Sequence, residues 1–162
     1  MEPVLFILFG AIAVGGAIMV VTRKHPMASA LYLILTLFAV AALFVLRQAH
    51  FLAAIQVIVY AGAIVVLFIF VIMLINVPEN KLPVERVTGM RLLGVIAAGL
   101  FILETALLAR RFAMPAGPAA DSGSVQAVGR ALFTDYLLAF EITSVLLLAA
   151  VIGAITLAKK KI

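Results

Sequence analysis

Residues 51–75 read FLAAIQVIVYAGAIVVLFIFVIMLI, twenty-five in a row without a formal charge. Crossing the ~30 Å hydrocarbon core of a bilayer takes about 20 helical residues. The run is longer than that, so its helix must tilt, kink or carry a local irregularity. We place this helix at 51–76, ended by Asn76 and the Val77-Pro78 exit. Its only polar side chains are Gln56 and Tyr60, and Gly62 follows two positions after the tyrosine. From Ile64 onward it is branched or aromatic: Val65, Val66, Phe68, Ile69, Phe70, Val71. β-Branched residues form helices poorly in water, but lipid offers the backbone no competing partner. The polar pair and the glycine therefore fall together in one membrane helix. A glycine there is a natural seat for a π-bulge, which inserts one residue, frees a carbonyl and recurs at functional sites.

The rest of the chain is of the same kind. Of 162 residues, 67% are hydrophobic and 12% charged, with a mean hydropathy of +1.32. Soluble domains average about half apolar and about a quarter charged, so that class is excluded. The absence of cysteine excludes disulfides and thiolate metal sites. The two histidines, His25 and His50, both fall at helix ends, which argues against a metal or haem site in this chain. The net charge of +5 reads as asymmetry between loops, not as a nucleic-acid footprint.

Four more apolar runs flank the first. Residues 3–22 make a first helix, preceded only by Glu2 and so lacking the basic start of a signal peptide. Ala13, Gly15, Gly16 and Ala17 give it a small-residue face suited to close helix contact. The break Arg23-Lys24-His25-Pro26 leads to a second helix over 27–46, and Arg47-Gln48-Ala49-His50 makes a tight turn into the central one. Ser29, Tyr32 and Thr36 are the polar side chains of the second helix. Its hydroxyls are expected to bond back to their own backbone. A short connection of mixed charge, from Pro78 to Thr88, precedes a fourth helix over 89–109. Gly94 and Ala98 form another small pair there. Residues 110–135, rich in proline and glycine, read as a surface loop. A fifth helix over 136–158 ends at Lys159-Lys160-Lys161. The fold class is thus all-α integral membrane, one domain over 1–162 with five transmembrane helices.

Lysine and arginine near the helix ends set the orientation. With the N-terminus outside, the cytoplasmic segments hold Arg23, Lys24, Lys81, Arg86, Arg91, Lys159, Lys160 and Lys161. The outer ones hold Arg47, Arg110, Arg111 and Arg130. The excess places the N-terminus outside and the C-terminus in the cytoplasm.

No glycine-rich nucleotide loop, nucleophilic triad or metal-ligand cluster is present, so the candidates are ionisable groups within the membrane runs. These are Glu104 and Glu141, at similar depth in the outer half of the fourth and fifth helices. They are either proton-accessible carboxylates or partners for Arg110, Arg111, Arg130 or a cation of another chain. Tyr60 lies about 12 Å in from Phe51 at ~1.5 Å per residue. A phenol at that depth needs a hydrogen-bond partner, from another helix or water.

The segment FLAAIQVIVYAGAIVVLFIFVIML resembles the third transmembrane helix of the J subunit of bacterial NADH:quinone oxidoreductase, respiratory complex I, the counterpart of mitochondrial NADH dehydrogenase subunit six. FEITSVLLLAAVIGAITLAKK, from Phe140 to Lys160, resembles that family's fifth helix. The resemblance implies a subunit of the bacterial inner membrane, beside the quinone-site subunit and the antiporter-like subunits. It implies no cofactor of its own, with NADH, FMN, iron–sulfur clusters and quinone held elsewhere in the complex. It also implies that the third helix switches between bulged and regular forms, gating a water path that couples quinone reduction to proton pumping. Carried over, Gln56, Tyr60, Gly62, Val65 and Val66 line or gate that path, and Glu141 matches the glutamate at the start of the family's fifth helix. Glu104 has no counterpart to assign.

Two other readings compete. Related hydrogenase or ferredoxin-type complexes use similar subunits, because the electron donor binds on other chains. A stand-alone transporter would show inverted repeats, into which five helices do not divide.

Overall fold

The apolar runs become helices because hydrocarbon offers backbone groups no partner outside their own segment. The structure, a computed structural model, describes residues 2–75, 88–111 and 123–159, without the side chains of 88–91 and 111. In chain order it contains α1 (Glu2–Thr22), α2 (Pro26–Leu46), α3 (His50–Ile55), a π-helical segment (Gln56–Ile64), α4 (Val65–Ile75), α5 (Thr88–Arg111), α6 (Val125–Phe133) and α7 (Leu137–Ala158). Because α3, the π segment and α4 run on as one rod, five helices are long and apolar enough to cross a membrane. No strand occurs among the described residues. The expected end at Asn76, the connection at 78–87, the stretch around Pro115 and Pro118, and Lys160 and Lys161 lie outside the described residues.

α2 is the centre, with α1 on one side and the α3–π–α4 span on the other. The buried residues of this trio are small: Gly16, Ala30, Ala39, Ala41, Ala53 and Ala61, with Val65 the one larger side chain. Lipid is as apolar as leucine, so membrane helices gain little by burying large side chains and associate where small residues let backbones approach. Gly16 marks the closest approach of α1 to α2: a Cβ there would run into Thr36 Oγ1 and lie 3.5 Å from Tyr32 O. The expected small-residue face of α1 is therefore narrower than the sequence indicated. Gly16 is buried and Ala13 half-buried, while Gly15 and Ala17 are exposed. The back-bonding expected of α2 is present, Thr36 Oγ1 donating to Tyr32 O at 2.9 Å.

α5 and α7 stand apart. Nothing in their most apolar windows is buried, against 17% for α2, and a Cβ at Gly94 or Gly153 would meet open space. For a bilayer protein an exposed leucine is ordinary. Two spans without a buried residue in those stretches, however, leave most of their surface open to lipid or to another chain.

The turn between α2 and α3 is closed by a paired motif. Ala49 N–H donates to Phe44 O and Gln48 N–H to Val45 O, each at 2.9 Å, which requires a left-handed residue at the position where glycine is usual. Gln48 fills it at φ 59°. Gly123 lies against this turn: a Cβ on it would sit 2.7 Å from Ala49 Cα and 3.1 Å from Gln48 O. The residues just before α6 thus meet the turn between the second and third spans. Both lie on one side of the membrane, as alternation of five spans demands.

The connection read as a loop over 110–135 holds a helix. Ser124 caps α6, its Oγ accepting from Ala127 N–H at 3.2 Å. Composition misled here because the prolines and most of the glycines precede Ser124, leaving 125–133 free to coil.

Candidate functional site: the π segment of the third span

The site is built from a change of register. Val65 N–H donates to Tyr60 O, five residues back instead of four. The wider ring runs over QVIVYAGAI, Gln56–Ile64, so the irregularity expected at Gly62 is present and extends over nine residues. Val57, Ile58, Val59 and Ile64 are β-branched and gain little from tight α coiling. Gly62 supplies the clearance. A Cβ there would lie 3.2 Å from Val57 O, itself five residues back, and would meet nothing else within 4 Å. The glycine therefore makes room for the segment's own carbonyl, not for a neighbouring helix.

The five positions singled out by sequence divide by face. Ala61 and Val65, at 7% and 2% exposure, form the buried seam, in a rod whose neighbour is α2. Gln56 is half-buried. Tyr60 and Val66 point away from the trio, at 48% and 44% exposure. The Tyr60 hydroxyl makes no hydrogen bond among the described residues. Its partner must come from beyond the described residues, since a phenol in hydrocarbon is costly to leave unpaired. Val65 and Val66 are thus distinct in kind: one anchors the rod to its neighbour, the other faces the surroundings.

Glu104 and Glu141 are both exposed, on α5 and α7 respectively. Among the described residues neither pairs with Arg110, Arg130 or any other cation. Glu104 and Arg110 line one shallow groove at the end of α5 without touching. Each carboxylate is thus open to a proton, water or a cation from another chain. No group of three or more His, Cys, Asp and Glu gathers among the described residues. Sequence reading missed Ala61, four positions before Val65 on the same buried seam; a small residue at that spacing was the one available sign of it.

A rod that turns the unpaired Tyr60 hydroxyl outward, together with two spans that bury none of their most apolar residues, fits a chain completed by neighbouring proteins. That defines the class: a polytopic subunit of a larger membrane assembly. The chain belongs to the NADH-ubiquinone/plastoquinone oxidoreductase chain 6 family, whose model matches residues 16–157. It is thus a membrane subunit of the NADH-quinone oxidoreductase complex. Among its relatives, the NADH-quinone oxidoreductase subunit J of Rhodobacter capsulatus is 38% identical, over 94% of this chain and 79% of its own length. The NAD(P)H-quinone oxidoreductase chain 6 of a Nostoc species is also 38% identical, over 99% of this chain and 82% of its own. The F(420)H(2) dehydrogenase subunit J of Methanosarcina mazei is 35% identical, over 98% and 92%.

Proposed function

We propose that the third span is the moving wall of a water path that couples quinone reduction to proton pumping in the assembled complex. The observation that carries the reading is the π register at Gln56–Ile64, sealed by the bond from Val65 N–H to Tyr60 O. A π turn exchanges with an α turn by shifting one residue, which turns everything beyond it by about 100° around the rod. In one register the outward carbonyls and the Tyr60 hydroxyl hold water; in the other the file of water is interrupted. Water in such a file needs two to four polar partners. Gln56 and Tyr60 supply two, and neighbouring chains supply the rest. Val65 is the pivot and Val66 the apolar side chain that turns into or out of the path.

Glu141 and Glu104 serve as outer-half carboxylates for cations or protons of adjacent subunits. The neighbours are the quinone-site subunit and the antiporter-like subunits. NADH, FMN, the iron–sulfur clusters and quinone sit on other chains. The chain lies in the bacterial inner membrane, N-terminus outside and C-terminus in the cytoplasm. The Methanosarcina relative, named for a different electron donor, supports a role for this subunit that is independent of the donor.

Gly62→Val tests the reading. The added Cβ lies 3.2 Å from Val57 O and meets no neighbouring helix within 4 Å. We expect native-gel assembly to be retained. Quinone reduction or pumping should fall roughly tenfold, the rate equivalent of the ~1–3 kcal/mol that an overfilled position costs. Lost assembly, or unchanged turnover and pumping, would reject the gating role.

A further inference from the structure

The helix that composition concealed, α6, has no part in the gate. Its nine residues extend about 13 Å at ~1.5 Å per residue, far short of the ~30 Å needed to cross the bilayer. Its depth is nevertheless fixed. Only Thr134, Asp135 and Tyr136 separate it from α7, a membrane span, and Tyr136 N–H donates back to Ala131 O at 2.9 Å. The Phe133 ring meets that of Phe140, one turn into α7, edge-on at 5.2 Å between centroids. Tyr136, 61% exposed, is the kind of residue that marks the headgroup level. α6 therefore sits where hydrocarbon gives way to headgroups.

At about 100° per residue α6 divides into three faces. Ala127, Val128, Ala131 and Leu132 fall together and are half-buried on the protein. Gln126, Arg130 and Thr134 fall together and are exposed. Between these faces run Val125, Gly129 and Phe133, and the two large side chains are 56% and 64% exposed. In water that edge would be an uncompensated apolar patch on a short helix. Beside the polar face lies a groove of about 510 Å³ whose walls include Ser124, Gln126, Arg130, Thr134 and Asp135. Arg130 forms no ion pair among the described residues. A protein face, an apolar edge and a cationic polar face in rotation are what a helix needs to lie in a membrane surface.

We propose that α6 seats on phospholipid, with Val125 and Phe133 among the acyl chains and Arg130 on the headgroup phosphate. Asp135, which also lines the groove, repels the phosphate and so favours its seat at Arg130. The test is a photoreactive phenylalanine placed singly at Val125, at Phe133 and at Val128 in the assembled complex. The complex is held in vesicles of phosphatidylethanolamine and phosphatidylglycerol, and this chain is read by mass spectrometry after irradiation. We expect phospholipid adducts from positions 125 and 133, and protein adducts alone from 128, which is half-buried and away from the groove. Adding Arg130→Glu should lower the lipid adduct at 133 several-fold. Crosslinks from 125 and 133 to another subunit, or no adduct at either, would overturn the proposal. An unchanged yield with Arg130→Glu would remove the phosphate contact. Failure here leaves the gate untouched, since α6 contributes no residue to it.

Discussion

Tyr60 carries its hydroxyl on the outward side of the π segment, where the described residues offer no partner. Tyr60→Phe keeps the ring and its contacts and removes only the oxygen. If that oxygen holds a water in the path, the complex should assemble normally and pump less per quinone reduced. The expected loss is roughly fivefold, the equivalent of the ~1 kcal/mol that one hydrogen bond contributes. Proton yield equal to that of the unaltered complex would show that the phenol is a packing residue. Gln48 makes the contrasting case: it takes a left-handed backbone where glycine would be at ease. Nothing in Arg-Gln-Ala-His announces this, because the motif is defined by which carbonyls the turn caps and not by residue type.

At the level of elements, the contact of α1 with α2 depends on one position. Thr36 Oγ1 is tied to Tyr32 O and cannot yield easily to a Cβ on Gly16, whose next neighbours would lie at ordinary distances of 3.5 and 3.6 Å. Gly16→Ala should therefore loosen α1 by about 1–3 kcal/mol. Gly16→Ala with Thr36→Ala should recover most of it, read as thermal retention of this subunit in the complex. No recovery would mean that the approach is limited by backbone. The five spans were legible because run length against bilayer thickness is a strong constraint, and Gly62 in an over-long run pointed to the irregularity. The length of the π segment was not legible, since register depends on carbonyl geometry that residue types do not encode. α6 was legible in principle: Ser124 as a cap, then Val125, Val128 and Leu132 at helical spacing with Gln126 and Arg130 opposite. The proline- and glycine-rich stretch before it outweighed that signal.

For the whole molecule, orientation rests on the lysine and arginine excess and is open to direct measurement. The chain has no cysteine, so Lys24→Cys and Arg47→Cys each introduce one thiol into it, on exposed residues at opposite ends of α2. An impermeant reagent added outside should label position 47 and spare position 24; the reverse pattern would invert the topology. The contact of Gly123 with the turn at Gln48 and Ala49 has a mechanical meaning. It braces the head of the third span, so α3 resists rotation. A change of register further along must then appear as a screw displacement of α4, about 1.5 Å along and about 100° around its axis. Such a step delivers Ile64 to the place Val65 holds and sends Val65 to that of Val66. The seam against α2 would have to accept one more methylene, so the proposed switch would carry the rod between two indexed stops and not through a continuous glide.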